Sequence, residues 1–266
     1  VKAPLLALAA MLGLGAMPTM VQSQDAPDAQ ADRVEQFSQL PFWPGYWVAE
    51  EQAGTTVGGI APSVLAAREK GEAVANFMNL RGGAAKWNAE GQRRLEAAQA
   101  INAGRKAAGW GFPMMMNAAT PLQFVITPEH VLIVNAYSEV RHVYTDRDMP
   151  DEFDLWPTVM GTSVGHWEGD TLVVETTMVR SPIEYFHGAP PFSDDAHYEE
   201  RIRLEGDRLV SDVTVTDPTT LEEPFVTQVS WIRDEGFDRM IMVDWDNDRT
   251  GVDENGVNTI EAEVVE

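Results

Sequence analysis

All five histidines of the chain, His130, His142, His166, His187 and His197, fall in one stretch of strand-patterned sequence. Histidine titrates nearest to neutral pH and is the side chain best fitted to pass a proton there. His197 pairs most naturally with Glu200, beside Arg201 at the start of a strand pattern. If Tyr198, Ile202 and Leu204 face a barrel interior, Glu200 faces it too, and a carboxylate among apolar neighbours becomes a usable acid or base. Strict alternation puts His197 on the opposite face, so the pair needs His197 to belong to the preceding loop and turn inward. The competing structural reading is Glu200 bonded to an arginine on a neighbouring strand, with His197 in a rim hydrogen bond. Arg141 and Tyr144 are candidates for holding a developing anion. Alternation again sets Arg141 opposite His142 and Tyr144 unless a bulge intervenes. His166, next to Trp167, is either a further catalytic candidate or a stacked structural histidine. Trp110, Met115, His142 and Trp167 are the candidates for a ligand-binding wall; the three consecutive methionines at 114–116 serve equally as adaptable core filler.

Other patterns carry less. Zinc needs three or four converging ligands, and His142, His166, His197 and Glu200 would have to supply them. Two His-x-Glu matches occur, at His166 and His197, but the chain has no cysteine to complete a deaminase-type site. There is no His-Glu-x-x-His either, so no metal and no cofactor is assigned. Gly161-Thr162-Ser163-Val164-Gly165 fits Gly-x-Ser-x-Gly, yet a strand and hairpin follow where a nucleophile elbow needs a helix. The acidic run from Asp246 resembles the start of a calcium loop but has Val257 where a bidentate glutamate is required.

These side chains need a scaffold. The chain has 266 residues, 44% of them hydrophobic, which suffices for one large core. Its 42 acidic and 19 basic residues give a net charge of −23. That balance excludes nucleic acid as a partner and disfavours an anionic membrane surface. Residues 1–23 read as a signal peptide: Lys2, then a short apolar run at 5–16, too short to span a bilayer. No membrane span is expected in the mature chain, and a periplasmic or secreted location is. Residues 24–33 read as a flexible polar start. The remainder, 24–266, reads as a single β-barrel-like domain with a helical insertion at about 61–108, with Asn88 as the cap of its second helix.

From Pro121 onward the pattern is strand after strand. Leu172, Val174 and Thr176 alternate with Thr171, Val173 and Glu175. Glu168-Gly169-Asp170 and Glu205-Gly206-Asp207 are two tight-turn signals of one kind. About ten short strands favour a mainly β fold, an antiparallel β-barrel or strongly curved sheet. Trp47 at the first strand, two residues after Gly45, resembles the lipocalin-type pattern. A long loop at 180–195, rich in proline, glycine and aromatics, is a candidate functional segment.

The run from Trp87 to Asp217 also resembles a large, mostly uncharacterised family of secreted proteins from proteobacteria and acidobacteria. Its matching pieces are the methionine run, Val140-Arg141-His142-Val143-Tyr144, Gly165-His166-Trp167-Glu168-Gly169-Asp170-Thr171-Leu172 and Ser193-Asp194-Asp195-Ala196-His197-Tyr198-Glu199-Glu200-Arg201. The resemblance implies export and this β scaffold, without a settled reaction. Two departures stand out. Residues 109–113 replace a Cys-Pro-rich segment, and Asp146-Arg147-Asp148-Met149-Pro150 replaces a Gly-Arg-x-His-Pro turn, removing a histidine.

Three functions remain open at this stage. One is a secreted enzyme acting on a small apolar or aromatic molecule by acid–base chemistry in a barrel cavity: His197 and Glu200 would move protons while Arg141 and Tyr144 hold the anion. The second is a carrier for such a molecule without catalysis. The third is an interaction module with a filled barrel.

Overall fold

The structure is a computed structural model that describes residues 26–50, 80, 84–101, 109–117, 121–185, 189–233, 239–240, 250–252 and 258–260. The apolar segment at 1–23, the helix expected at 61–80 save Leu80, His187 and most of the acidic run from Asp246 lie outside the described residues. The chain divides into two compact units, 1–39 and 40–266. The first contains α1, Ala26–Ser38. The expectation of a flexible start is corrected there. Ala, Gln, Glu and Arg are good helix formers, Ser38 closes the last turn onto the Glu35 carbonyl at 2.7 Å, and Arg33 lies over the Phe37 ring at 5.2 Å.

The second unit is a closed barrel of nine strands in sequence order. They are β1 Trp47–Ala49, β2 Leu122–Ile126, β3 His130–Asn135, β4 Val140–Tyr144, β5 Thr162–Glu168, β6 Thr171–Thr177, β7 His197–Glu205, β8 Arg208–Thr216 and β9 Phe225–Arg233. A separate pair, β10 Thr250–Val252 and β11 Asn258–Ile260, forms its own two-stranded sheet. Neighbours in the barrel run antiparallel except β4 and β5, which are parallel and match at only two positions, Val143 with Ser163 and Tyr144 with Val164. A parallel pair needs a long crossover, and the acidic segment 145–161 supplies it. Both Glu-Gly-Asp turns are tight hairpins, with Gly169 at φ 61° and Gly206 at φ 66°, a region that glycine enters without strain.

Alternation decides what faces inward. Leu172, Val174 and Thr176 on β6, Tyr198, Glu200 and Ile202 on β7, and Leu209, Ser211, Val213 and Val215 on β8 are buried. The methionine turn packs into the same core: Met115, Met116 and Phe112 join Trp47, Trp231 and Leu122. The Trp231 indole donates to the Met116 carbonyl at 2.9 Å, fastening this segment to the inner wall. The core-filler reading of the methionines is therefore the one observed, and Met115 is buried core rather than an open ligand wall.

The described part of the helical insertion is α2, Ala89–Ile101. Asn88 caps it, its Oδ1 accepting the Glu90 and Gly91 N–H groups at 3.0 Å each. The same side chain donates to the carbonyls of Thr219 and Leu221, so the cap is also the bolt that holds α2 on the 217–221 turn. Asp217 organises that turn from within, accepting from Ser193 N at 2.7 Å, Ser193 Oγ at 2.8 Å and Thr220 Oγ1. A Cβ on Gly91 would stand 2.3 Å from the Thr220 carbonyl oxygen. Gly91→Ala should thus lose about 1–3 kcal/mol to overpacking, despite the roughly 1 kcal/mol of helix propensity that alanine gains; urea unfolding checks this, and a more stable variant would refute the close packing of α2 on the turn.

Candidate functional site

Inside the barrel Arg141, Glu200, Ser163 and Thr176 tie one another off. Arg141 on β4 and Glu200 on β7 are 1% and 2% exposed. Arg141 Nη1 donates to Glu200 Oε1 at 3.2 Å, and Nη2 donates to Glu200 Oε2 and to Thr176 Oγ1, the latter at 2.9 Å. Its Nε donates to Ser163 Oγ at 3.3 Å, and the Ser163 and Thr176 hydroxyls are 2.8 Å apart. The Phe112 ring covers the guanidinium at 4.1 Å and meets the edge of Tyr198 at 4.9 Å. A forked, planar guanidinium suits this bidentate grip. Glu200 therefore bonds an arginine, as the structural reading expected, but one reached across the barrel past two intervening strands. Ser163, the serine of the Gly-x-Ser-x-Gly match, is locked in the same network.

His197 does not join it. It is the first residue of β7, paired with Thr216, and shares its outward face with Glu199 and Arg201 while Tyr198 and Glu200 point in. The proposed His197–Glu200 pair is thus corrected: regular pairing begins at His197 and sets the two side chains on opposite faces. Arg141 and Tyr144 are separated by the same rule. Tyr144 lies on the outer wall, its ring 5.9 Å from that of His142, and His142 is 6.2 Å from His130. Arg147 sits over the Tyr144 ring at 4.5 Å. Trp110 stands beside Tyr137 at 5.9 Å, with its backbone N–H donated to the half-buried Glu139 carboxylate, whose pKa is raised by burial. Trp167 points inward against Trp43 at 5.5 Å.

Tyr198, like Ser211 and the Trp167 indole, keeps a buried polar atom unpaired among the described residues. Its ring is fully buried, and its hydroxyl has no hydrogen-bond partner among the described residues. Burial drives its pKa well above the ordinary phenol value, and Asp217 and Asp194 add to the effect. An unmade buried hydrogen bond costs about 1–3 kcal/mol. Tyr198→Phe should therefore be neutral or gain up to about 1 kcal/mol in urea unfolding; a loss beyond 1 kcal/mol would show that the hydroxyl is engaged in the folded protein.

The open, chemistry-bearing face is the outer wall of β5 and β6. There the crossover loop leaves a cleft of about 490 Å³, lined by Thr145, Asp146, Arg147, Asp148, Met149, Val164, Gly165, His166, Val173 and Glu175. Alternation puts His166 outward, 62% exposed, with Nε2 3.4 Å from Glu168 Oε1. Arg201 holds the other Glu168 oxygen at 2.6 Å, and it is chiefly this guanidinium, then His166, that keeps the Glu168 carboxyl below its ordinary pKa. Asp146 is likewise held low by Arg147, which donates to both its oxygens, Nε at 2.7 Å. With Arg147 committed to Asp146, the carboxylates of Asp148 and Glu175 give the cleft its negative character.

No family model, curated protein or solved structure matches the chain.

Of the sequence candidates, the structure joins Arg141 with Glu200 inside; His142 and Tyr144 lie on the outer wall of β4 and His166 on that of β5, and of these three only His166 lines the cleft. Thr176, Asp148 and Glu175 are not among them, and Ser163 enters the sequence reading only through the Gly-x-Ser-x-Gly match. Ser163 and Thr176 carried a signal, being polar at inward positions of apolar alternation. Asp148 carried none, because only the fold of the crossover loop brings it to His166, whereas Glu175 follows from the β5–β6 register, which pairs it with Val164 on the outward face that His166 shares.

Proposed function

We propose that this protein is an enzyme of the acid–base type, isomerase or lyase, that acts on a small polar molecule in the outer cleft and uses His166 to move a proton. The observation that carries the reading is His166 in the lining of a cleft of about 490 Å³, with Glu168 beside it and Glu175 on the next strand. An imidazole oriented by a carboxylate, open on its other side, is the minimal equipment for proton transfer near neutral pH. The cleft's size suits a small molecule. Its acidic, hydroxyl-bearing lining favours amine or hydroxyl donors on the ligand, not the apolar body expected from sequence. Filling of the interior by Met115, Phe112, Trp231 and the Arg141–Glu200 network supports the outer wall over the lumen, for turnover and carriage alike.

The test is a panel of small amines, polyols and hydroxyketones incubated with the protein in D₂O. Proton NMR follows exchange of carbon-bound hydrogens and the His166 Hε1 resonance together. The expected result is a compound that shifts His166 and exchanges in the wild type but not in folded His166→Asn. Exchange that persists in His166→Asn, or binders that leave His166 and Glu175 unshifted, would overturn the proposal.

A further inference from the structure

A second cavity, of about 500 Å³, lies at the barrel rim where the β7–β8 turn meets β9 and β1. Glu50, Asp207, Arg208, Arg233, Leu204 and Ile232 are in its lining. Its charge balance differs from that of the first: Arg208 and Arg233 face Glu50 and Asp207, whereas in the first Asp146, Asp148 and Glu175 outnumber Arg147. Two arginines face one cavity in a chain whose acidic residues outnumber its basic ones 42 to 19. Arg208 is bonded to the buried Glu50 carboxylate, whose other oxygen accepts the Ser230 hydroxyl at 2.9 Å. Glu50 is thereby neutralised within the wall. Arg233 has no carboxylate partner among the described residues. Its guanidinium lies 5.3 Å from the Trp47 ring centre, and its stem runs against Gly45, where an added Cβ would touch Cδ at 3.4 Å.

A guanidinium laid on an indole keeps its fork free and its position defined. The adjoining surface of Leu204 and Ile232 is apolar, and Trp47 lies buried behind it. We infer that this rim cavity binds a small organic anion, a carboxylate on a flat apolar body, with Arg233 gripping the carboxylate and Leu204 and Ile232 holding the body. The site is separate from the His166 cleft and stands whether or not that cleft is catalytic.

The probe is 2-naphthoate, with neutral 2-naphthamide as its isostere. Binding is read from the Nε–Hε signals of Arg208 and Arg233 in ¹H–¹⁵N spectra. Saturable shifts of both arginines are expected with the carboxylate, at least tenfold weaker binding of the amide, and at least tenfold weaker binding of naphthoate by Arg233→Gln. Arg233→Lys should recover part of the loss. Equal affinity for acid and amide, shifts that do not saturate, or undiminished binding by folded Arg233→Gln would each overturn the inference. Should Arg233→Gln fail to fold, the acid-against-amide comparison on the wild type decides alone.

Discussion

Arg141→Met should lose about 3–5 kcal/mol of unfolding free energy, the cost of leaving a buried carboxylate without its partner. Glu200 has no water to fall back on at 2% exposure, and the Thr176 and Ser163 hydroxyls lose their shared donor. Methionine keeps much of the stem's volume under Phe112, so the loss reports charge more than cavity. The double variant Arg141→Met with Glu200→Leu should return to within about 1 kcal/mol of wild type or exceed it, because a desolvated ion pair is a poor net stabiliser against apolar replacement. The four proteins make a double-mutant cycle, read by urea unfolding. A single-variant loss under 1 kcal/mol would mean that Glu200 has another partner, and the network as described would be wrong.

The pair's location gives it a role beyond net stability. The β4–β5 ladder is parallel and only two positions long, whereas β5–β6 matches seven and β7–β8 nine. Arg141 bonds Ser163 on β5, Thr176 on β6 and Glu200 on β7 in one span, stapling β4 to the three strands beyond the short seam. We hypothesise that the charged pair specifies barrel closure there. The double variant should then exchange the amide hydrogens of Val143 and Val164 faster than wild type at equal global stability; unchanged exchange would remove this role. The His166 cleft lies on the outer side of the same seam, so the staple also steadies its floor.

Much of the barrel was legible because alternation and turn chemistry are local. The period of Leu172, Val174 and Thr176 and the two Glu-Gly-Asp turns place β5 to β8 almost to the residue. The same alternation already put His197 outside and Arg141 opposite Tyr144; the acid–base expectation required an exception that the regular start of β7 does not make. Three things were beyond local signals. The polar start of the described chain folds as α1 because helix formers outweigh its charge. The partner of Arg141 depends on closure of the barrel, which brings β4 and β7 face to face. The cleft depends on how the 145–161 crossover lies over β5 and β6, and no periodicity encodes the path of an irregular loop.

His166→Asn should lower the rate of proton exchange on a turned-over compound by about 10²–10⁴-fold, the usual weight of a positioned general acid or base. Asparagine keeps a polar group of similar reach at an exposed position, so stability should change by less than about 0.5 kcal/mol. Loss of rate without loss of fold separates chemistry from scaffolding. On the proposed reading Glu168 acts as a positioning residue, since Arg201 holds its other oxygen and it lies outside the cleft lining. Glu168→Gln should therefore reduce kcat more than it raises KM, whereas Glu175→Gln, on the cleft wall, should act mainly on KM. Tyr198→Phe supplies the opposing control. Its hydroxyl lies in the filled interior, so it should leave exchange unchanged if the outer cleft is the site. A rate that falls in Tyr198→Phe and survives in His166→Asn would move the chemistry into the barrel and reverse the assignment.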